Sequence, residues 1–337
     1  MGSITAGSVL SGARVVVTGA TGFLGSHLVR RLVSEGADVH ILVRGSSSFG
    51  RLRGLEPVLT RWEGDVTNFV SIEQCFRGAS PTTVFHLAGN TVSRRRVGDW
   101  AAIQQAIDVN LLGTLNVVHA AATSGAPVVS VIRLGGLEEY GTGQTPYLEA
   151  QREQPSSPYS ASQVAATHVC QALQGHLSFG VITLRPALVY GPGQSSDFLI
   201  PALIGALLRG DRFAMSDGTQ WRDLLYVDDF VDAAVRAAGR PDLRGTILNI
   251  SSGTEWQVRD VARQIVAIMG AGALLDVAAH PARPGELMHL VASNRSAAEL
   301  LEWRPVVGLA DGLARTVDAY RAAAAAPRHE SQGMELD

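Results

Sequence analysis

The sequence predicts an α/β fold built on a doubly wound parallel sheet, and three observations carry that prediction. From Arg14 to Ile250, short apolar segments alternate with segments of helical period. A glycine-rich turn, Thr18-Gly19-Ala20-Thr21-Gly22-Phe23-Leu24-Gly25, joins the first apolar segment to the first helical one. The 337 residues are 46% hydrophobic and 18% charged, which suits one large α/β domain with a smaller lobe. Strands covered on both faces read as continuous apolar runs, and parallel pairing requires a crossover between neighbours.

Taken in order, residues 1–12 are rich in Gly and Ser and read as a loose leader. Arg14–Thr18 is the first strand, 22–35 the first helix and Val39–Val43 the second strand. Further strands are expected at Val58–Trp62, Thr83–Leu87, Val128–Ile132 and Val181–Leu184, separated by helices at Ser71–Arg77, Trp100–Thr123 and Ser160–Leu177. After Arg185-Pro186 the alternation loosens. Gly191-Pro192-Gly193 marks a turn, Phe198–Arg209 a helix, Asp223–Val227 a strand, Asp228–Ala238 a helix and Thr246–Ile250 a strand. Helices at Val258–Met269, Asn294–Leu301 and Ala310–Ala324 complete the chain, and the polar residues after the alanine run read as a frayed tail. The expected organisation is a nucleotide-binding domain of 13–185 plus 221–250. A substrate lobe of 186–220 plus 251–325 and a tail at 326–337 complete it.

Composition excludes several classes. Formal net charge is −3, and all 28 positive side chains are arginine, since the chain contains no lysine. The single basic run, Arg94-Arg95-Arg96, reads as a solvated loop or phosphate contact, with no nucleic-acid surface implied. Cys75 and Cys170 are too few for a disulfide framework or zinc cluster, and the nine histidines lack metal-ligand spacing. No apolar run approaches the roughly 20 residues of a membrane span, so a soluble cytoplasmic protein is expected.

The glycine turn gains weight from standing between a strand and a helix. Gly19 permits the tight turn, Gly22 lets backbone approach a diphosphate, and Gly25 lets helix and sheet pack closely. The helix start then offers unpaired N–H groups and a partial positive charge. This Gly-x-x-Gly-x-x-Gly spacing resembles the short-chain dehydrogenase/reductases, and most closely their extended branch of NAD-dependent epimerases and dehydratases. His86-Leu87-Ala88-Gly89, Asn110-Leu111-Leu112-Gly113-Thr114, Leu184-Arg185-Pro186 and Val189-Tyr190-Gly191-Pro192-Gly193 resemble further landmarks of that branch, in the same order. So do Arg222-Asp223, Val227-Asp228-Asp229 and Arg283-Pro284-Gly285-Glu286.

The resemblance implies a Rossmann-type domain with a smaller C-terminal substrate lobe, and a dinucleotide held by Gly19, Thr21, Gly22, Phe23, Leu24 and Gly25. It extends the cofactor contacts to Asp65 and Val66 at the adenine, and to Leu87, Ala88, Tyr159, Pro186 and Leu188. NAD-preferring members carry an acidic residue at the end of the second strand, where this chain has Arg44-Gly45-Ser46. A guanidinium can grip a 2′-phosphate, with Ser46 adding a hydrogen bond, so NADPH is expected ahead of NAD.

The resemblance also implies a Ser/Thr, Tyr and Lys reaction centre with a supporting asparagine. Tyr159 matches the tyrosine and Asn110 the asparagine, but Gln163 stands at the lysine position and Gly136 at the hydroxyl position. A tyrosine relies on a neighbouring cation to lower its pKa from about 10 before it can act as a base. Gly136 removes a donor to the reacting oxygen, a loss on the order of 10²–10³ in rate. These departures favour carbonyl reduction, in which a neutral phenol can donate a proton. A substrate phenol beside the ketone could supply the proton itself.

The expected function is therefore NADPH-dependent reduction of a small-molecule ketone, as in the ketoreductases of aromatic-polyketide (angucyclinone) antibiotic pathways. Sugar-nucleotide epimerase, dehydratase or 4-ketoreductase chemistry is one alternative, and a non-catalytic dinucleotide sensor or scaffold is another. Substrate contacts are expected from Ser93, Gly136, Tyr190, Phe198, Arg222 and Arg283. His86, closing an apolar strand, reads as a core or cofactor-wall residue. The helices at 100–123 and 160–177 match those through which family members form homodimers.

Overall fold

Alternation of burial along each strand explains the central sheet. In strand β1 (Arg14–Thr18), Val15 and Val17 enter one core cluster while Val16 enters a second on the opposite face. Val84 and Phe85, Val131 and Ile132, and Val181 and Ile182 divide in the same way on later strands. With both faces apolar, the sheet must be covered on both sides by helices. The computed structural model describes residues 9–91, 96, 98–281 and 285–325.

After β1 come α1 (Phe23–Ser34), β2 (Asp38–Val43), β3 (Thr60–Glu63), α2 (Phe69–Ala79) and β4 (Thr83–His86). Next follow α3 (Trp100–Ala106), α4 (Gly113–Thr123), β5 (Ser130–Leu134), α5 (Pro158–Leu173), β6 (Gly180–Pro186) and β7 (Leu188–Tyr190). The remainder is α6 (Leu199–Arg209), β8 (Phe213–Ala214), β9 (Trp221–Tyr226), α7 (Val227–Ala238), β10 (Ile247–Ile250) and β11 (Glu255–Gln257). It closes with α8 (Val258–Met269), β12 (Leu275–Asp276), β13 (His289–Leu290), α9 (Arg295–Leu300) and α10 (Leu309–Ala325).

Seven parallel strands form the large sheet in the order β10-β6-β5-β4-β1-β2-β3. The strand order reverses at β1 and β4, so their carboxyl ends open the crevice in which a doubly wound sheet binds its ligand. The expected Rossmann-type α/β class is the observed one.

Two departures from the periodicity matter. The helix expected over 100–123 is broken by a π-helical turn at Ile107–Leu112, which carries Asn110. Such a turn inserts one residue into the helical repeat, and hydrophobic spacing barely registers it. The strand expected at Asp223–Val227 and assigned to the nucleotide-binding domain pairs with β7, β11 and β13 in a separate four-stranded sheet. Leu10 is buried in the core, so the leader expected as loose is anchored at that point. Among the described residues, no helix is long and apolar enough to cross a membrane.

Candidate active site

The crevice begins with backbone geometry. Gly19 has φ of +71°, and a Cβ there would lie 2.6 Å from the backbone of both Leu87 and Ala88. A Cβ on Gly25 would overlap the Gly19 carbonyl. Helix α1 starts at an N-cap, Gly22, that supplies no side-chain cap, so its first N–H groups face the turn. An uncapped helix start, a left-handed glycine and closely packed backbone together fit a dinucleotide diphosphate. Thr21, Phe23 and Leu24 stand at this turn, half-buried, with Phe23 edge-on to His27.

Beneath the turn, His86 is fully enclosed. Thr114 donates to the Asn110 carbonyl (2.7 Å), so its oxygen accepts from His86 Nε2 at 3.1 Å; Nδ1 then accepts from Thr18 at 2.8 Å. Burial, reinforced by the positive charge of Arg133, depresses the imidazole pKa to about 3. His86 is thus a neutral strut, as its apolar surroundings in the sequence suggest. Ala88 N–H donates to the same Thr18 hydroxyl at 3.3 Å, so the crevice walls after β1 and β4 are tied together.

The end of β2, where the cofactor's 2′-phosphate was expected, does not match the NADPH reading. Arg44 and Ser46 are exposed at the end of β2, and a Cβ on Gly45 would lie 2.7 Å from a Glu63 carboxylate oxygen. That carboxylate puts negative charge beside the position where Arg44 was expected to receive a phosphate. Asp65 accepts from the Thr67 backbone and hydroxyl (2.9 and 2.8 Å), while Val66 is core, packed against Gly113. Pro186 ends β6 and Leu188 opens β7, both half-buried.

Tyr159 sits in the first turn of α5, which Ser157 caps by accepting from Ser160 N–H at 3.1 Å. Gly136 follows β5. A Cβ on it would lie 3.0 Å from Glu138 Oε2 and 4.0 Å from Tyr159 Oη. The Glu138 carboxylate therefore borders the place where a catalytic hydroxyl side chain would stand. A serine there would require the Glu138 carboxylate to shift by a few tenths of an ångström.

Gln163 occupies the lysine position one turn beyond Tyr159. Arg133, 1% exposed, donates to Gln163 Oε1 (2.5 Å), to the Gln163 carbonyl (3.1 Å) and to Thr167 Oγ1 (2.8 Å). Thr167 passes its own hydrogen to Glu139 Oε2 at 2.8 Å, and Arg185 donates twice to that oxygen at 3.0 and 2.6 Å. Arg185 reaches Glu153 as well, at 2.7 Å. Burial opposes charge on Arg185, but Glu139, Tyr140 and Glu153 outweigh it and raise its pKa above the ordinary arginine value. Asn110 is spent on structure: its Oδ1 accepts from Asn90 N–H (2.7 Å), and its Nδ2 donates to Asn90 O (3.1 Å) and Ser162 Oγ (2.9 Å).

Arg222 is largely buried on β9, donating to Glu286 at 2.9 Å and to the Trp221 carbonyl at 2.8 Å. Burial lowers its pKa, opposed by the negative charges of Glu286 and Glu138. Glu138 also contributes, after burial, to pushing the Tyr147 phenol up to about 12. Arg222, Tyr147 and Glu138 thus share one electrostatic environment.

Other expected contacts fall elsewhere. Tyr190 is 1% exposed, edge-on to Tyr226 and hydrogen-bonded to the Leu309 carbonyl at 3.3 Å, so it packs the core in place of lining a pocket. Phe198 is half-buried at the N-cap of α6. Ser93 and Arg283 lie outside the described residues. A cavity of about 390 Å³ lined by Arg263, Val266 and Leu275 lies beside α8, and no candidate site residue lines it. Among the described residues, no cluster of His, Cys, Asp or Glu could hold a metal ion.

Glu138, Arg133 and Glu139 escaped sequence reasoning. The acidic pair before Tyr140-Gly141 was legible, but neither member falls on the hydroxyl spacing. Arg133 sits inside an apolar strand run, where a charge signals a buried network or a site.

Comparison with known proteins agrees with this geometry. The NAD dependent epimerase/dehydratase family profile matches residues 15–251. UDP-glucose 4-epimerase of Mycolicibacterium smegmatis is 33% identical over 317 residues, 91% of this chain and 98% of that protein. dTDP-glucose 4,6-dehydratase of Streptomyces antibioticus is 31% identical over 325 residues, 91% and 92% of the two chains. The solved structure of MoeE5 with UDP-glucose and NAD is 30% identical, with a TM-score of 0.81, covering 92% of this chain and 99% of that one.

These findings correct two expectations. A family defined by NAD dependence, with NAD in the solved relative, overturns the preference for NADPH drawn from Arg44 and Ser46. Relatives that epimerise or dehydrate sugar nucleotides overturn the assignment as a polyketide ketoreductase. That assignment rested on two lost side chains and overlooked the carboxylate beside one of the gaps. By its profile match, its relatives and its crevice, the chain belongs to the NAD-dependent epimerase/dehydratase family.

Proposed function

We propose that this protein transforms a nucleoside diphosphate sugar by epimerase- or dehydratase-type chemistry, with NAD as its resident cofactor. The single observation that carries the proposal is Glu138: its carboxylate borders the Gly136 gap beside Tyr159. NAD, when bound, supplies reversible oxidation at one sugar carbon. The Gly19–Gly25 turn and the start of α1 hold its diphosphate, and the wall at Leu87–Ala88 lies against that turn.

The proton work falls to this chain's own side chains. Oxidising a sugar hydroxyl requires a group to take its proton, and a carboxylate does so without a neighbouring lysine. Glu138 takes that proton, and the Tyr159 hydroxyl, 4.0 Å from where a Gly136 side chain would begin, orients the same sugar oxygen. The buried Arg222 guanidinium offers positive charge to the substrate's diphosphate from β9. UDP-glucose, bound in the solved relative, and dTDP-glucose, named in the dehydratase relatives, are the first compounds to test.

The experiment is incubation of the purified chain and NAD with each sugar nucleotide, followed by NMR and mass spectrometry. An isomer of unchanged mass marks epimerisation; loss of one water marks dehydration. NAD binding without conversion of any sugar nucleotide would contradict the proposal and favour a sensor.

A further inference from the structure

The buried Arg133 has no place in the proton chemistry above, yet it grips the residue that stands where the family places its lysine. Its guanidinium can only donate, so the Gln163 atom facing it at 2.5 Å must be the carbonyl oxygen Oε1. That contact decides the direction of the other end of the amide. Gln163 Nε2 points toward Gly89, where an added Cβ would meet it at 3.9 Å. Among the described residues, no acceptor takes its hydrogens. Gly89 continues the Leu87–Ala88 segment that abuts the diphosphate turn at Gly19, so Nε2 faces the dinucleotide side of the crevice.

We propose that Arg133 is a positioning residue that locks Gln163 so its amide N–H₂ donates to an oxygen of the bound dinucleotide. This replaces a mobile cation by a neutral donor backed by a buried one. The arrangement also explains why a lysine does not fit at position 163. Arg133 contacts only neutral groups directly and reaches the Glu139 carboxylate through Thr167. An ammonium in the place of the Gln163 amide would meet that guanidinium with no carboxylate between them, at a residue 6% exposed.

This inference rests on the proposed binding of NAD, and the test separates the two. Dissociation constants for NAD are measured on the full chain by titration calorimetry, together with melting temperatures. Gln163→Glu keeps an acceptor for Arg133 and removes the N–H₂ donor. The expected result is a melting temperature at or above that of the wild type, with NAD bound about tenfold more weakly. A purely structural Gln163 predicts unchanged NAD affinity in that variant, which would overturn the proposal.

Gln163→Lys tests the charge argument. It should lower the melting temperature, and adding Arg133→Met should recover at least half of that loss. A single Gln163→Lys variant as stable as the wild type would overturn the claim that Arg133 excludes a lysine. Wild-type protein that binds no NAD would bring down the cofactor reading and this inference together. Wild-type binding with an unaffected Gln163→Glu variant would bring down this inference alone.

Discussion

The two halves of the crevice are built from different materials. At the ends of β1 and β4 the geometry is backbone: a left-handed Gly19, a Gly25 with no room for a side chain, and an uncapped helix start. At the ends of β5 and the start of α5 it is side chain: Glu138 beside the Gly136 gap, and Gln163 clamped by Arg133. Backbone sites demand particular residues at particular spacings, because only glycine satisfies them. Side-chain sites can be rewired, with one residue vacating a position and a neighbour moving in. Loss of a family side chain therefore does not by itself mark loss of acid–base chemistry.

The comparison can be broken most forcefully on the backbone side. Gly19→Val would place a branched side chain at positive φ and within 3 Å of the Leu87 and Ala88 backbone. It should destabilise the fold by about 3 kcal/mol or more and abolish NAD binding. Chemical denaturation and calorimetric titration would check both, and near-wild-type stability would show that the turn can relax.

On the side-chain side, the next largest effect is expected below the reaction centre. Arg185→Met leaves Glu139 buried without the cation that contacts it at 2.6 Å. A loss of about 3–5 kcal/mol in urea denaturation is expected, since removing one partner strands a buried charge. Adding Glu139→Gln should restore part of that loss.

A smaller, pH-dependent effect follows from His86, whose pKa falls from 6.5 to about 3 on burial. Falling pH protonates the unfolded chain near 6.5 but leaves the folded imidazole neutral until about 3. The stabilising contribution is therefore complete above pH 6.5 and drains away as pH drops through that window. Stability of the wild type should decline more steeply between pH 6.5 and 4 than that of His86→Gln. Parallel curves would show that the imidazole is solvated or charged in the folded state.

The same contrast explains what the sequence disclosed. Continuous apolar runs such as Val15-Val16-Val17 announced strands buried on both faces, and the glycine spacing placed the tight turn before α1. Asn110 was singled out by its resemblance, but the π-helical turn that carries it, and its hydrogen bonds with Asn90 and Ser162, leave almost no periodic trace. Tyr190 looked like a pocket residue because of its motif, while its surroundings in the core depend on α10, more than a hundred residues later. Arg44 looked like a phosphate ligand because Glu63, which pairs with Val43 across the sheet and reaches Gly45, lies some way along the sequence. Glu138 was hidden by a spacing rule that asked only for a hydroxyl at position 136.

The central claim is that the Glu138 carboxylate assumes the proton chemistry that Gly136 and Gln163, at the family's serine and lysine positions, cannot perform. Its most direct test is the turnover of a sugar nucleotide by Glu138→Gln, with NAD affinity measured on the same sample. A fall in kcat of about 10²–10³ with unchanged NAD binding and melting temperature is the predicted result. Turnover within a few-fold of the wild type would contradict it and return the proton transfer to Tyr159 or to the substrate itself.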